Sequence, residues 1–412
     1  MRVLYHHRTR AGDAQGIHIC EMQRAFRLRG HEVEEVSLVP ARATVSADGG
    51  TAPGRGAGRW ADAAARRAPR LARELLELGY NALAYRRLAR AIRRARPDLL
   101  YERHAAFTFA GVLAARRHGV PVVLEVNAPL ADERDRHGGL TLRRAARACE
   151  RFGCGRADVT VVVSAALGSA LAAGGVEPRR LVVLPNGVRR GFGAGDRERG
   201  RHRLGVPGGT PVVGVVAWFR AWHRLEDLLE AFDHPAIEGT GAVLALVGGG
   251  PSLERPPARL EALVAAGRAI LPGQVQREEL EDVLAALDVA VQPAVTPYAC
   301  PMKLVEYLAA GCAVVAPGSA NVRELVGDGG AALLCGRDEE PSPDDLREAL
   351  LRLLGDGELR ARLGAAARRR VSDRGLFWEE NARHVEEEVA ALAGGARTLP
   401  APAADGFEVR PC

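Results

Sequence analysis

The sequence predicts an α/β protein made of two doubly wound units, and three observations carry that expectation. Short apolar strands alternate with amphipathic helices along nearly the whole chain. The alternation falls into two series, separated by a Pro- and Gly-rich stretch around residues 185–210. The length, 412 residues, exceeds what a single hydrophobic core ordinarily organises, so two or three domains are expected.

The first series opens with RVLYHH as a short buried strand. The amphipathic helix QGIHICEMQRAFRLRG follows and ends at Gly30, a residue suited to a helix C-cap. HEVEEVSLV is the next strand, and the Gly/Ala/Pro/Ser-rich residues 41–57 read as a loop. Arginine-rich helices lead to DLLYERH; a helix, PVVLEVNAP, another helix, DVTVVVS and LVVLPNGV complete the series. Continuous apolar strands separated by helices imply a parallel sheet covered on both faces.

The second series begins near residue 210 with TPVVGVVAWF, the helix RLEDLLEAF, AVLALVGGGP, a helix and AILPGQV. It continues with the helix REELEDVLAAL, DVAVQPA, a helix within PMKLVEYLAAG, CAVVAP and AALLC. The expected domains are residues 1–188 and 206–375, with a helix at about 376–393 and a flexible tail over 394–412. Ligands of doubly wound sheets collect at the carboxyl ends of the strands, and a cleft between two facing units is the expected site.

Composition narrows the function. Hydrophobic residues make up 47% and charged residues 26%, the profile of a soluble globular protein. Net charge is +6, and the segment from Arg59 to Asp98 holds eleven arginines against four acidic residues. Helical spacing sets Leu88, Ala91 and Ile92 behind those arginines. The face is either an ordinary solvated surface or a docking surface for an anionic acceptor, an acidic carrier protein or a lipid headgroup. No aromatics interleave the bases, so no nucleic-acid partner is expected.

Seven cysteines show no CxxC pair and no histidine cluster at ligand spacing, so reduced thiols and no metal site are expected. The N-terminus carries no apolar core of signal-peptide length, and no apolar run reaches the ~18–20 residues that span a bilayer. A cytoplasmic protein is expected, with peripheral membrane contact left open and the oligomeric state unread.

Lys303 is the only lysine in a chain with 57 strong bases. It sits three residues before Glu306, in CPMKLVEYLAAG, where Pro301 suits the first helical position. A carboxylate there suits paired hydroxyls such as those of a ribose, and an ammonium suits a phosphate oxygen. The alternative is a surface i,i+3 ion pair worth under ~1 kcal/mol. In the loop HHRTRAGDAQGIHI, Gly12 and Gly16 let backbone N–H groups approach a ligand at a helix start. Gly248, Gly249 and Gly250 form GGGP at a strand end, and a tight turn explains them equally well. Arg220 and His223, between a strand and a helix, suit a departing diphosphate; a surface arginine is the plain alternative.

The order of DAQGIHICEMQRAFRLRGHEV, RLVVLPNGV, ALVGGGP, LPGQVQREELEDVLAALDVAVQPA and PMKLVEYLAAGCAVVAPGSANVRELVGDGGAALLC resembles glycosyltransferase family 4. Those are retaining sugar-nucleotide enzymes of the GT-B fold, with two facing Rossmann-like domains. The resemblance implies a C-terminal domain for a nucleoside diphosphate sugar and an N-terminal domain for the acceptor. FWEENARHVEEEVAAL is similar to the family's last helix, which crosses back to the first domain. Glu306 matches the glutamate that holds the ribose, and Tyr298 stands where the family has a sugar-binding glutamate. Cys300, Pro301, Met302 and Leu304 fall where backbone N–H groups meet the sugar and diphosphate. The donor-binding set is completed by Gln274, Gly248, Gly249, Gly250, Gly12 and Gly16.

The family's diphosphate-binding arginine and lysine become Trp218 and His223, with Arg220 as substitute. Its sugar-contacting histidine becomes Asn127, which can hydrogen-bond but not act as acid or base. The expected activity is transfer, with retention, from a UDP-sugar such as UDP-glucose or UDP-N-acetylglucosamine to a hydroxyl or amine. The acceptor is a small molecule, lipid-linked or carrier-linked. Lys303, Arg220 and a protonated His223 would stabilise the leaving diphosphate. No carboxylate stands as a nucleophile, and no cofactor is required, though Mg²⁺ can travel with the diphosphate. The rivals are a sugar-nucleotide epimerase, a sugar phosphorylase and a non-catalytic partner subunit.

Overall fold

The computed structural model of this chain describes residues 1–9, 14–37, 69–177, 181–327, 330–336 and 340–393. The first six strands are β1 (Arg2–His7), β2 (Glu32–Ser37), β3 (Leu99–Arg103), β4 (Val122–Val126), β5 (Val159–Val162) and β6 (Leu181–Val183). They form a sheet in the order β2-β1-β3-β4-β5-β6. The next six are β7 (Val212–Trp218), β8 (Val243–Gly249), β9 (Ala269–Gly273), β10 (Val289–Val291), β11 (Val314–Pro317) and β12 (Leu333–Cys335). Their order is β12-β11-β10-β7-β8-β9. All the pairings are parallel. In each sheet the strand order reverses once, between β1 and β3 and between β7 and β10. Those reversals open crevices at the carboxyl ends, where doubly wound sheets take their ligands.

The chain divides into two compact units. One runs to Pro185 and takes back the chain from Trp378; the other is Asn186–Phe377. In the first, the helix Trp378–Ala393 lies along the helix Ala14–Leu28. Arg29 donates to Glu386 at 2.8 Å, and Asn381 donates to the Pro185 carbonyl at 2.8 Å. In the second, Val213, Val215, Leu244, Leu246, Val289 and Val315 pack against Leu228, Leu229, Phe232, Leu346 and Leu350 from flanking helices. Burying each such side chain is worth about 1.5–3 kcal/mol, which is why the strands read as unbroken apolar runs.

Several helices differ from expectation. The single helix expected between PVVLEVNAP and DVTVVVS is two, Leu130–His137 and Arg143–Arg156, parted at Gly138 and Gly139. The one expected before AILPGQV is also two, Pro251–Glu254 and Ala258–Ala265. Pro256 and Pro257 stand between them and supply no N–H to continue a helix. REELEDVLAAL is helical only over Leu280–Ala286, so Arg277 stands in the preceding turn. The helices Arg197–Leu204, Pro343–Gly355 and Gly357–Asp373 had no sequence assignment.

The arginine-rich segment is one helix over Arg70–Ala95. Leu88, Ala91 and Ile92 are buried, and Arg86, Arg87, Arg90, Arg93 and Arg94 are exposed. Gly12, the 41–57 loop, Arg59, Arg66 and Arg67, and the tail from residue 394 lie outside the described residues. Among the described residues no helix is long and apolar enough to cross a membrane.

Candidate functional site

The reversal between β7 and β10 positions the site of the second unit. Pairing of these two strands stops at Gly214 and Ala290, while β7 continues beside β8 to Trp218. Where β10 no longer supplies a partner, the Tyr307 hydroxyl accepts the Val216 N–H at 2.7 Å. Tyr307 is fully buried, and burial pushes its phenol well above the ordinary range. This bond fastens the helix Met302–Ala310 into the crevice.

The loop from β10 to that helix is pinned by side-chain amides. Gln292 donates to the Ala294 carbonyl at 2.8 Å, and Asn321 donates to the carbonyls of Thr296 and Ala299 at 3.0 and 2.7 Å. Asn186 donates from its side chain to the Cys300 carbonyl at 2.6 Å, and its N–H reaches Cys300 Sγ at 3.2 Å. Burial pushes the Cys300 thiol up to about 12, so this cysteine is a structural group and not a nucleophile. Tyr298 lies half-buried in the same loop.

Pro301 is the N-cap of the helix and not its first turn. It has no N–H, and the Leu304 N–H already donates to the Pro301 carbonyl at 3.1 Å. Both therefore drop out as backbone donors to a ligand. Met302 and Lys303 lead the helix, where N–H groups have no carbonyl one turn behind.

Glu306 is 2% exposed, so the Lys303–Glu306 pair is not the surface pair considered as the alternative. Lys303 Nζ donates to Glu306 Oε2 at 3.0 Å, and Arg277 Nη1 donates to Glu306 Oε1. Burial would raise this carboxyl. The two cations outweigh it and hold Glu306 below the usual carboxylate range, charged at neutral pH. A carboxylate has about four acceptor positions, and protein donors take two of these.

Gly248 and Gly250 hold φ of 129° and 121°, and a Cβ at either would strike the carbonyl of Ala217 or Phe219 at 1.9 or 2.6 Å. The turn itself therefore accounts for these two glycines. Gly249 lies against Trp218 and Gln274, whose nearest atoms stand 3.2 and 3.3 Å from where its Cβ would be. Gln274 Oε1 is buried without a hydrogen-bond partner. An unpaired buried amide oxygen is costly, and here it suits a ligand N–H or O–H.

The Arg220 N–H donates to His223 Nδ1 at 3.0 Å, which puts the ring proton on Nε2. Burial lowers the His223 pKa below its ordinary value. The expected protonated imidazole is thus corrected to a neutral ring that donates from Nε2. The Arg220 guanidinium lies 5.1 Å over the Trp222 ring and supplies the cation of this loop.

In the first unit, Asn127 donates to Glu125 Oε1 from the end of β4. Glu125 is buried, accepts Tyr101 at 2.7 Å, and pairs with Arg103 and with His18 at 3.0 Å. Burial would raise it, yet His18 and Arg103 hold it far below the usual carboxylate range. Gly16 is buried in the first turn of the helix Ala14–Leu28. Sequence reasoning missed this cage and missed Arg277. The signal for the cage was a Glu in the apolar run PVVLEV and an Arg ending LLYER. Arg277 carried no signal, being 29 residues from its partner.

A doubly wound unit with a buried, cation-flanked carboxylate at its strand reversal has a polar site where this class of sheet takes its ligands. Residues 196–370 match the model for glycosyl transferases group 1, and residues 15–191 match that for Glycosyltransferase Family 4. The chain belongs to glycosyltransferase family 4, a family of sugar-transferring enzymes.

Among curated proteins, it is 33% identical over 211 residues to the 2-deoxystreptamine N-acetyl-D-glucosaminyltransferase of Streptomyces fradiae. That alignment covers 48% of this chain and 49% of the relative, so it spans about half the relative's length. It is 29% identical over 277 residues to a GDP-mannose-dependent alpha-mannosyltransferase of Mycolicibacterium smegmatis, covering 67% and 69% of the two chains. Among solved structures, Anabaena HepE in complex with UDP covers 95% of this chain and 100% of its own, with a TM-score of 0.65 and 16% identity. Sucrose-phosphate synthase of Thermosynechococcus elongatus covers 96% and 100%, with a TM-score of 0.69 and 18% identity. The fold is GT-B.

Proposed function

We propose that the protein transfers a sugar, with retention of anomeric configuration, from a UDP-sugar to a hydroxyl or amine acceptor. The observation that carries this is Glu306: a charged, buried carboxylate at the strand reversal with two acceptor positions unused by the protein. Two unused positions suit the vicinal diol of a ribose. Gln274 Oε1 adds an acceptor for the donor molecule, and Lys303, Arg220, the Nε2–H of His223 and the N–H groups of Met302 and Lys303 suit a diphosphate.

In the proposed reaction the bond from the anomeric carbon to the β-phosphate oxygen breaks, and its electron pair stays on that oxygen. The acceptor oxygen or nitrogen attacks the same face and passes its proton to the departing phosphate. Lys303 and Arg220 offset the charge that develops there. Every protein group in this scheme belongs to the second unit; the acceptor is assigned to the first, where Asn127 offers its carbonyl oxygen to a hydroxyl. A Mg²⁺ carried by the diphosphate is part of the substrate here. We place the protein in the cytoplasm, in keeping with free thiols at Cys149, Cys154, Cys300, Cys312 and Cys335 among the described residues.

One relative transfers N-acetyl-D-glucosamine to 2-deoxystreptamine and the other depends on GDP-mannose, so the base and sugar need a direct test. UDP-, GDP- and dTDP-sugars are offered singly with a panel of hydroxylated and amine acceptors, and products are followed by NMR at the anomeric carbon. Transfer from a UDP-sugar with unchanged anomeric configuration is expected. Inversion, epimerised donor without acceptor, or release of a sugar phosphate would each overturn the proposal.

A further inference from the structure

Arg277 lies in the turn between β9 and the helix Leu280–Ala286, and two side chains hold it. Its Nη1 donates to Glu306 Oε1, and its guanidinium stands 5.6 Å from the centre of the Phe192 ring. Phe192 is itself held. The neighbouring N–H groups of Gly193 and Ala194 donate to Glu281 Oε2 at 2.8 and 3.1 Å. Glu281 opens the helix that follows Arg277, so the turn bearing Phe192 and the turn bearing Arg277 are tied into one bracket. The arginine side chain is 19% exposed and is planar, which lets one face pack on the ring while an edge donates.

We propose that Arg277 is a positioning residue for the nucleoside: it holds the Glu306 carboxylate in one plane so that its remaining acceptor positions meet a single vicinal diol. The proposal rests on Glu306 being the ribose acceptor. Lys303 on Oε2 cannot do this alone, because its flexible stem leaves the carboxylate free to turn about its last bond. Arg277 binds the opposite oxygen from a fixed bracket, and the two contacts together define the plane. Arg277 acts through Glu306 and touches no reacting atom.

The test is calorimetric titration of UDP and GDP, each beside its 2′,3′-dideoxy counterpart, into wild type, Arg277→Ala, Arg277→Lys, Phe192→Ala and Glu306→Gln. The wild type is expected to prefer at least one parent nucleotide over its dideoxy form. Arg277→Ala should weaken the parent about tenfold and leave the dideoxy form unchanged, since only the diol reads the carboxylate plane. Arg277→Lys should recover part of the loss. Phe192→Ala, which keeps the charge and loosens the bracket, should show a smaller loss confined to the parent. Equal weakening of parent and dideoxy forms in both Arg277→Ala and Phe192→Ala, or no weakening in either, overturns the positioning role. If Glu306→Gln loses diol preference while Arg277→Ala keeps it, this proposal fails and the assignment of Glu306 stands. A wild type that binds parent and dideoxy forms alike, or binds neither, overturns both.

Discussion

Glu125, near the carboxyl end of β4, and Glu306, in the helix that follows β10, are both buried carboxylates, yet they are filled to different degrees. Glu125 is met by His18, Arg103, Tyr101 and Asn127, which occupies all of its roughly four acceptor positions. Glu306 is met by Lys303 and Arg277 alone among the described residues. The partners differ too. Arg103 and His18 are 7% and 6% exposed, whereas Lys303 and Arg277 are 29% and 19% exposed. A saturated carboxylate among buried partners is structural. A half-filled one beside less deeply buried cations can take a ligand.

That contrast breaks first at Glu125. Glu125→Gln leaves Arg103 buried without its counter-charge, and a loss of about 3–5 kcal/mol in urea unfolding is expected. Glu306→Gln should cost less stability, because its cations reach water. A variant pair with equal losses would remove the structural distinction. Tyr307→Phe comes next. It leaves the Val216 N–H unpaired in a buried crevice, and a loss of about 1–3 kcal/mol is expected with donor affinity reduced alongside. Lys303→Ala should leave unfolding little changed and weaken nucleoside diphosphate binding about tenfold, near 1.4 kcal/mol. Unchanged affinity there would remove the phosphate role of the ammonium.

The smallest expected effect is on acid stability. Both carboxyls titrate below the ordinary glutamate value of 4.5 in the folded chain. Their contribution is thus complete above about pH 4.5, where the unfolded chain is also ionised, and is lost as pH falls toward the folded values. Stability followed from pH 6 to pH 2 should be flatter in Glu125→Gln and in Glu306→Gln than in wild type.

Much of the fold was legible because each strand announces itself locally. RVLYHH, VVLEV and VVGVVAW are apolar runs at strand length, and their alternation with helices leaves little but a parallel sheet. The helix bearing Lys303 and Glu306 was legible for the same reason, with a proline before it and a one-turn spacing within it. Backbone donors were less so: that Leu304 spends its N–H on Pro301 depends on how the first turn closes. The neutral state of His223 depends on burial and on a backbone N–H three residues away. Arg277 and the Glu125 cage were illegible because their partners come from separate strands and loops. Only the folded sheet brings those residues to one carboxylate.

The most direct measurement is calorimetric titration of UDP, GDP and dTDP into wild type and Glu306→Gln at neutral pH. One equivalent of UDP is expected to bind the wild type, with affinity at least tenfold lower in the variant. Binding of equal strength in both proteins, or no nucleotide bound by the wild type, would contradict the assignment of Glu306 as the nucleoside acceptor.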